Sequence, residues 1–162
     1  MRVRLLTMAD LDLFFSLQSD PKMMRYIRPP ESDREAVRER VAFLEQYAQD
    51  YPGLGSLVAA WRDTGRTAAS GVLRHAEYKP ENDLEIGYMV LREFWGQGLA
   101  SELARGLADY AFERFGAPKV IAFVDPEHGA SQRVLEKAGF RLLGTRFIYD
   151  CDNLEYVRER VL

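Results

Sequence analysis

A glycine-rich segment lies between a predicted strand and the start of a long predicted helix, and its residue types suit the binding of an anion. Residues 95–98 read Trp-Gly-Gln-Gly, and the helical pattern begins at Leu99. Glycines let backbone N–H groups turn toward a ligand without a Cβ in the way, and a helix N-terminus favours negative charge. Ser101 occupies the third position of a dinucleotide fingerprint, and no Gly-Lys-Ser/Thr follows. The segment suits a pyrophosphate and disfavours ATP and NAD as ligands; the alternative is that these glycines serve only the geometry of a strand-to-helix turn.

Composition disfavours several other kinds of chemistry. The 162 residues include one cysteine, Cys151, and two histidines, so no cluster has zinc-ligand spacing and we expect no metal site. The formal charge of −3 arises from 22 basic and 25 acidic residues mixed along the chain, which disfavours a nucleic-acid partner. The first residues show no secretory signal pattern, and no run approaches about 18 apolar residues. We therefore expect a cytoplasmic protein with no membrane partner.

The periodicity of apolar residues predicts the elements that must position the glycine segment. The length favours one domain over residues 1–162. The predicted order is βααβββαβαββ, which implies an α/β fold with helices packed on the faces of a mixed sheet. Ser32 and Glu35 form a predicted capping box at the second helix. Strands are predicted at 2–7, 55–62, 67–74, 83–90, 119–124, 141–149 and 153–161, and helices at 11–19, 34–50, 98–115 and around 134–138. Asp20 and Pro21 are predicted to end the first helix.

Several separated motifs resemble the GNAT superfamily of N-acetyltransferases in sequence, order and spacing. They are 85–88 (Glu-Ile-Gly-Tyr), 95–102 (Trp-Gly-Gln-Gly-Leu-Ala-Ser-Glu), 124–126 (Val-Asp-Pro) with Ser131, and 134–140 (Val-Leu-Glu-Lys-Ala-Gly-Phe). The opening Asp-Leu helix and the segment 20–26 resemble the branch that contains the ribosomal-protein N-terminal acetyltransferases (RimJ/RimL-like). The resemblance covers nearly the whole chain.

The resemblance implies a fold and a co-substrate. It implies a single GNAT-like domain whose mixed, mostly antiparallel sheet splays between the strands at 83–90 and 119–124, with helices on both faces. Acetyl-CoA would be the co-substrate, and no metal is required. Its pantetheine arm would lie in the opening and pair with the backbone of Met89, Val90 and Leu91. The residues that would cradle its pyrophosphate are Gly96, Gln97, Gly98, Leu99, Ala100 and Ser101.

Two positions depart from the family pattern. The first position of the loop, often Gln or Arg in the superfamily, is Glu93, and Arg92 comes just before it. His128 stands where the family usually has Asn, which caps the following helix and contacts the cofactor. Histidine is a weaker cap than asparagine, by about 1 kcal/mol. His128 is therefore expected near the cofactor at a loosely capped helix start.

Amide formation needs a neutral amine, so some group must accept a proton. By the resemblance, Glu85 accepts it directly or through one water; the alternative is a strand carboxylate paired to a neighbouring cation. Ser131 would steady or protonate the departing thiolate, or it is an ordinary first-turn serine. Alternation with its strand neighbours favours a core position for Tyr88 over a substrate-site role. His75 is expected to be a solvated turn residue.

The resemblance implies an acetyl-CoA-dependent N-acetyltransferase that acts by direct transfer in a ternary complex. The backbone N–H groups near Tyr88 and Met89 could polarise the thioester carbonyl. The acceptor would be a primary amine on a small molecule or at a protein N-terminus. A homodimer is compatible with the sequence. A non-catalytic acyl-CoA-binding sensor or partner-binding module is the alternative from another class. Transfer of a longer acyl group is a third hypothesis.

Overall fold

A computed structural model describes residues 1–162 and contains one seven-stranded sheet with the strand order β1-β2-β3-β4-β5-β7-β6. The strands are β1 (Arg2–Leu5), β2 (Gly55–Ala60), β3 (Thr67–His75), β4 (Leu84–Val90), β5 (Lys119–Val124), β6 (Arg141–Ile148) and β7 (Cys151–Glu159). The helices are α1 (Leu11–Ser19), α2 (Pro21–Met24), α3 (Arg34–Asp50), α4 (Leu99–Phe115) and α5 (Gly129–Lys137). Only the β4–β5 pair is parallel. The predicted mixed, mostly antiparallel sheet is therefore confirmed.

Helices cover both faces of the sheet, because successive strand residues point to opposite sides. In β2, Val58 packs with apolar residues of α1 and α3, whereas Ala59 belongs to the larger core that includes the buried face of α4. The two faces are named here the α3 face and the α4 face. None of the helices is long and apolar enough to cross a membrane.

Two helix starts differ from the sequence prediction. The N-cap of α3 is Asp33, whose Oδ1 accepts the Glu35 N–H at 2.9 Å, so the predicted capping box at Ser32 is wrong. A carboxylate at this position satisfies a free N–H and also suits the positive end of the helix dipole. The predicted break at Asp20 and Pro21 does end α1 at Ser19, and the same two residues also start the short α2, which the sequence did not predict, with Asp20 as its N-cap and proline at its first position.

The parallel strands β4 and β5 separate after a short stretch of pairing. They pair only at Leu84–Val120 and Glu85–Ile121, whereas β4 pairs with β3 along its whole length and β5 does so with β7. From Ile86 onward, one edge of β4 has no strand beside it. This gap, called the opening below, confirms the predicted splay between the two strands.

Candidate active site

Alternate residues of β4 direct their backbone groups into the opening. The Leu91 N–H donates to the Ala68 carbonyl at 2.9 Å, which fixes the hydrogen-bonded pairs between the end of β4 and β3. Because such pairs alternate in an antiparallel ladder, Met89 also bonds to β3, and Tyr88 and Val90 face the opening. Of the three residues expected to pair with the pantetheine arm, only Val90 turns its backbone toward the opening, and ligand contact by Met89, Val90 and Leu91 stays a prediction.

The glycine loop presents free backbone at the start of α4. Gly96 and Gly98 have φ values of +75° and +78°, and a Cβ at either would have no atom within 4 Å. The first N–H of α4 with an acceptor in the helix is that of Glu102, which donates to the Gly98 carbonyl at 3.1 Å. The N–H groups before it are free, as at any helix N-terminus. The Trp95 indole ties the loop to β4 by donating to the Val90 carbonyl at 2.7 Å.

These features suit a pyrophosphate. An anion bound there would meet free N–H groups and the positive end of the α4 dipole. The left-handed φ of both glycines is one that other residues rarely adopt, so the loop geometry depends on glycine. The residues expected to cradle a pyrophosphate, 96–101, thus lie in one loop and helix turn, with open space beside Gly96 and Gly98.

A tyrosine–serine pair bridges β4 and α5 on the α4 face. The Tyr88 hydroxyl lies 2.8 Å from Ser131 Oγ and also donates to the Ser131 carbonyl at 3.2 Å. Burial raises the pKa of Tyr88 to about 12, so this hydroxyl keeps its proton at neutral pH. Ile86 and Val90 are buried, as alternation implied, but Tyr88 is only half-buried, and its ring packs against the core with its hydroxyl on Ser131.

Glu85 lies on the opposite, α3 face of β4 and is only 6% exposed. Its Oε1 is 3.4 Å from Nη2 of Arg74, the residue directly opposite in β3. Its Oε2 accepts a hydrogen bond from the Tyr149 hydroxyl. The structure therefore shows the ion-paired strand carboxylate that the sequence offered as one alternative, with both oxygens held in place. A proton-accepting role for Glu85 stays a prediction.

Sequence reasoning missed both partners of Glu85. The hairpin register of β3 and β4 is the signal that could have found Arg74, since cross-strand residues share a face. Tyr149 gave no local signal, because it comes from the turn between β6 and β7. Tyr149 and Asp150 both have positive φ, 55° and 62°, which is typical of a two-residue type I′ hairpin turn. Burial and the charge of Glu85 raise the pKa of Tyr149 to about 12.

Each of the two histidines contacts a tyrosine. His128 is the residue before α5, and its side chain makes no capping bond, consistent with a weak cap. Its ring instead stacks on Tyr26, with centroids 4.3 Å apart, and desolvation lowers its pKa. His75 was expected to be a solvated turn residue, but its Nδ1 lies 2.8 Å from the Tyr47 hydroxyl, which also accepts the His75 N–H. Burial lowers the pKa of His75 too.

Comparison with known proteins places this arrangement in a class. Residues 1–141 match the family described as the acetyltransferase (GNAT) domain. The chain therefore belongs to the GNAT acetyltransferase family and is an N-acetyltransferase.

Individual relatives agree with this class. The uncharacterized protein YkkB of Bacillus subtilis is 35% identical over 141 residues, which cover 85% of this chain and 81% of that protein. The uncharacterized N-acetyltransferase YoaA of the same organism is 27% identical over 88% of this chain and 80% of its own length. A solved structure of AAC(6')-Ib in complex with ribostamycin and coenzyme A has a TM-score of 0.82 at 20% identity, covering 98% of this chain and 92% of that one.

Proposed function

We propose that the protein transfers an acetyl group from acetyl-CoA to a primary amine, directly, while both substrates are bound. The observation that carries this proposal is the opening between β4 and β5, because groups that can move protons lie on its two sides. The Tyr88–Ser131 pair lies on the α4 face, together with the glycine loop, and Glu85 lies on the α3 face. A donor and an acceptor entering from opposite faces would meet in this opening.

The residues that hold acetyl-CoA are those of the glycine loop and the free edge of β4. The loop backbone at 96–101 binds the pyrophosphate, and the Val90 N–H faces the pantetheine arm or the acyl carbonyl. His128, at the start of α5, contacts the cofactor in this proposal. Acetyl-CoA supplies an activated thioester. A complex of AAC(6')-Ib with acetyl-CoA supports this assignment by similarity of fold.

Glu85 accepts the proton that the amine must lose. The Arg74 guanidinium and the Tyr149 hydroxyl hold the carboxylate in one orientation, so it accepts the proton directly or through one water. As the C–N bond forms and the C–S bond breaks, the Tyr88 hydroxyl donates its proton to the departing sulfur. Ser131 Oγ positions that hydroxyl. The amine proton thus ends on Glu85 and the thiol proton comes from Tyr88, and before the next turnover Glu85 releases its proton to solvent while Tyr88 regains one from solvent.

The acceptor is a primary amine on a small molecule or at a protein N-terminus. The small-molecule class is supported by the aminoglycoside in the AAC(6')-Ib complex. The N-terminal class is supported by the resemblance of the segment 20–26 to the ribosomal-protein branch.

A panel of amines incubated with acetyl-CoA tests the proposal. Amino acids, polyamines, aminoglycosides and peptides with free N-termini are each scored by release of the coenzyme A thiol and by the mass of the acetylated product. We expect at least one class to be acetylated, with initial rates that show intersecting dependence on the two substrates. Tight acetyl-CoA binding without transfer to any amine would instead support the non-catalytic acyl-CoA sensor.

A further inference from the structure

Two arginines converge on one neutral oxygen beside the α3 face. Arg28 Nη2 and Arg40 Nη1 both donate to Oε1 of Gln18, at 2.5 and 2.8 Å. Gln18 lies in the last turn of α1 and is only 4% exposed, so its side-chain oxygen is buried and held in place. A single amide oxygen carries no net charge. The two guanidiniums are therefore oriented together without being neutralised.

The surrounding acidic groups do not neutralise this pair. Neither Arg28 nor Arg40 takes part in an ion pair, although eleven are formed elsewhere in the chain. Glu31 is close enough for its charge to affect the pKa of Arg28, but it forms no ion pair with Arg28, and its Oε1 accepts the Asp33 N–H. Partial desolvation and the charge of Arg40 lower the pKa of Arg28, which reflects two cations held close together.

The positive region continues to Glu85. Arg74 lies over the Tyr78 ring, 4.4 Å from its centroid, and pairs with Glu85. The charge of Arg74 also acts on Arg28 and lowers its pKa. The buried Nε of Arg74 has no hydrogen-bond partner, which is uncommon for a buried donor. Arg74 thus pairs with the Glu85 carboxylate, Arg28 and Arg40 meet on Gln18, and one buried donor of Arg74 is still unpaired.

We propose that Arg28 and Arg40 bind a carboxylate of the acceptor, so that the substrate is a small amine that also carries a carboxylate. This inference rests on the proposed acetyl transfer and names its substrate class. A guanidinium presents N–H donors in a fork that matches both oxygens of a carboxylate. A carboxylate seated there would neutralise the two guanidiniums and leave the amino end of the molecule free to reach Glu85. The same charges repel polycationic amines such as aminoglycosides.

Matched acceptors test this substrate class. Glycine and phenylalanine are compared with glycinamide and phenylalaninamide, and kcat/KM is measured by thiol release. A nearby carboxylate favours the charged ammonium, so intrinsic reactivity favours the amides. We expect the free acids to be better substrates by about tenfold or more, since a charge-assisted bond is lost in the amides. Equal or better turnover of the amides would overturn the inference while leaving acetyl transfer intact.

Substitution of the arginines gives a second, independent readout. Arg40→Gln and Arg28→Gln should each raise KM for the free acid by about 10- to 100-fold, with kcat and the amide KM nearly unchanged. Arg38→Gln is the matched control, because Arg38 is exposed on the same helix and forms no side-chain bond or ion pair there. Arg28 is exposed, so its variant keeps the test valid if Arg40→Gln unfolds. An unchanged KM in Arg28→Gln would contradict the assignment. No acetylation of any amine by a protein that binds acetyl-CoA would overturn the proposed function as well.

Discussion

Replacement of Gly98 by valine separates the glycine loop's role in binding from its role in folding. Gly98 has φ +78°, and a Cβ there would meet no protein atom within 4 Å, so the folded chain itself does not exclude the side chain. The substitution carries backbone strain of about 1–3 kcal/mol, which corresponds to a melting temperature lower by roughly 2–12 °C at this chain length. The new side chain would occupy space beside the N–H groups that face the pyrophosphate. Loss of one charge-assisted bond weakens binding by about 10- to 100-fold.

Isothermal titration calorimetry with acetyl-CoA measures the affinity, and thermal unfolding measures the strain. Gly106→Ala is the matched control, because Gly106 is exposed within α4, has ordinary helical φ and has open space around it. That change should stabilise the chain by about 0.5–1 kcal/mol and leave acetyl-CoA affinity unchanged. A folded Gly98→Val protein that binds acetyl-CoA with the wild-type affinity would refute the assignment of the loop.

Three further predictions concern the remaining polar groups. Tyr88→Phe should lower kcat by about 10²–10⁴-fold with little change in acetyl-CoA affinity, and a kcat close to wild type would transfer the acid role to Ser131 or water. His128→Asn should raise the free energy of unfolding by about 1 kcal/mol, through better helix capping, only in a chain that has already lost the stack with Tyr26. A double-mutant cycle with Tyr26→Leu, measured by urea unfolding, should therefore show coupling between the two positions, and strict additivity would contradict this. The pKa of His75 is lowered in the fold, so the unfolded chain binds the proton first, and stability should be complete above about pH 6.5 and fall below it. Urea unfolding above and below about pH 6.5 should show a smaller loss of stability at the lower pH in His75→Gln than in the wild type, and an equal loss would contradict the argument.

The glycine loop and the opening could be predicted because their signals are local. Two glycines before a helical stripe identify the loop, and family motifs on both flanking strands locate the opening. The finer prediction that Met89, Val90 and Leu91 all pair with the pantetheine arm stays untested, although only Val90 of the three turns its backbone toward the opening. A paired strand can present only every second residue to one neighbour, so backbone contacts to a ligand also alternate.

The polar partners could not be predicted, because they join distant segments. Tyr88 and Ser131 are 43 residues apart, and Glu85 and Tyr149 are 64 residues apart. Their contacts depend on how β4, α5 and the β6–β7 turn are arranged in space, and no periodicity in the sequence encodes that arrangement. Strand alternation placed Tyr88 in the core, and its ring does pack there, but alternation gives no information on where the hydroxyl lies.

Glu85→Gln tests most directly whether the carboxylate on the α3 face accepts the amine proton. The substitution keeps the shape of the side chain and removes the basic oxygen. With an amine that the wild type acetylates, we predict that kcat at saturating substrates falls by about 10²–10⁴-fold and that calorimetry shows unchanged acetyl-CoA affinity. Glu81→Gln, at an exposed carboxylate on the turn before β4, is the control and should behave as wild type. A kcat within about threefold of wild type would contradict the proton-accepting role and leave Glu85 as the ion-pair partner of Arg74.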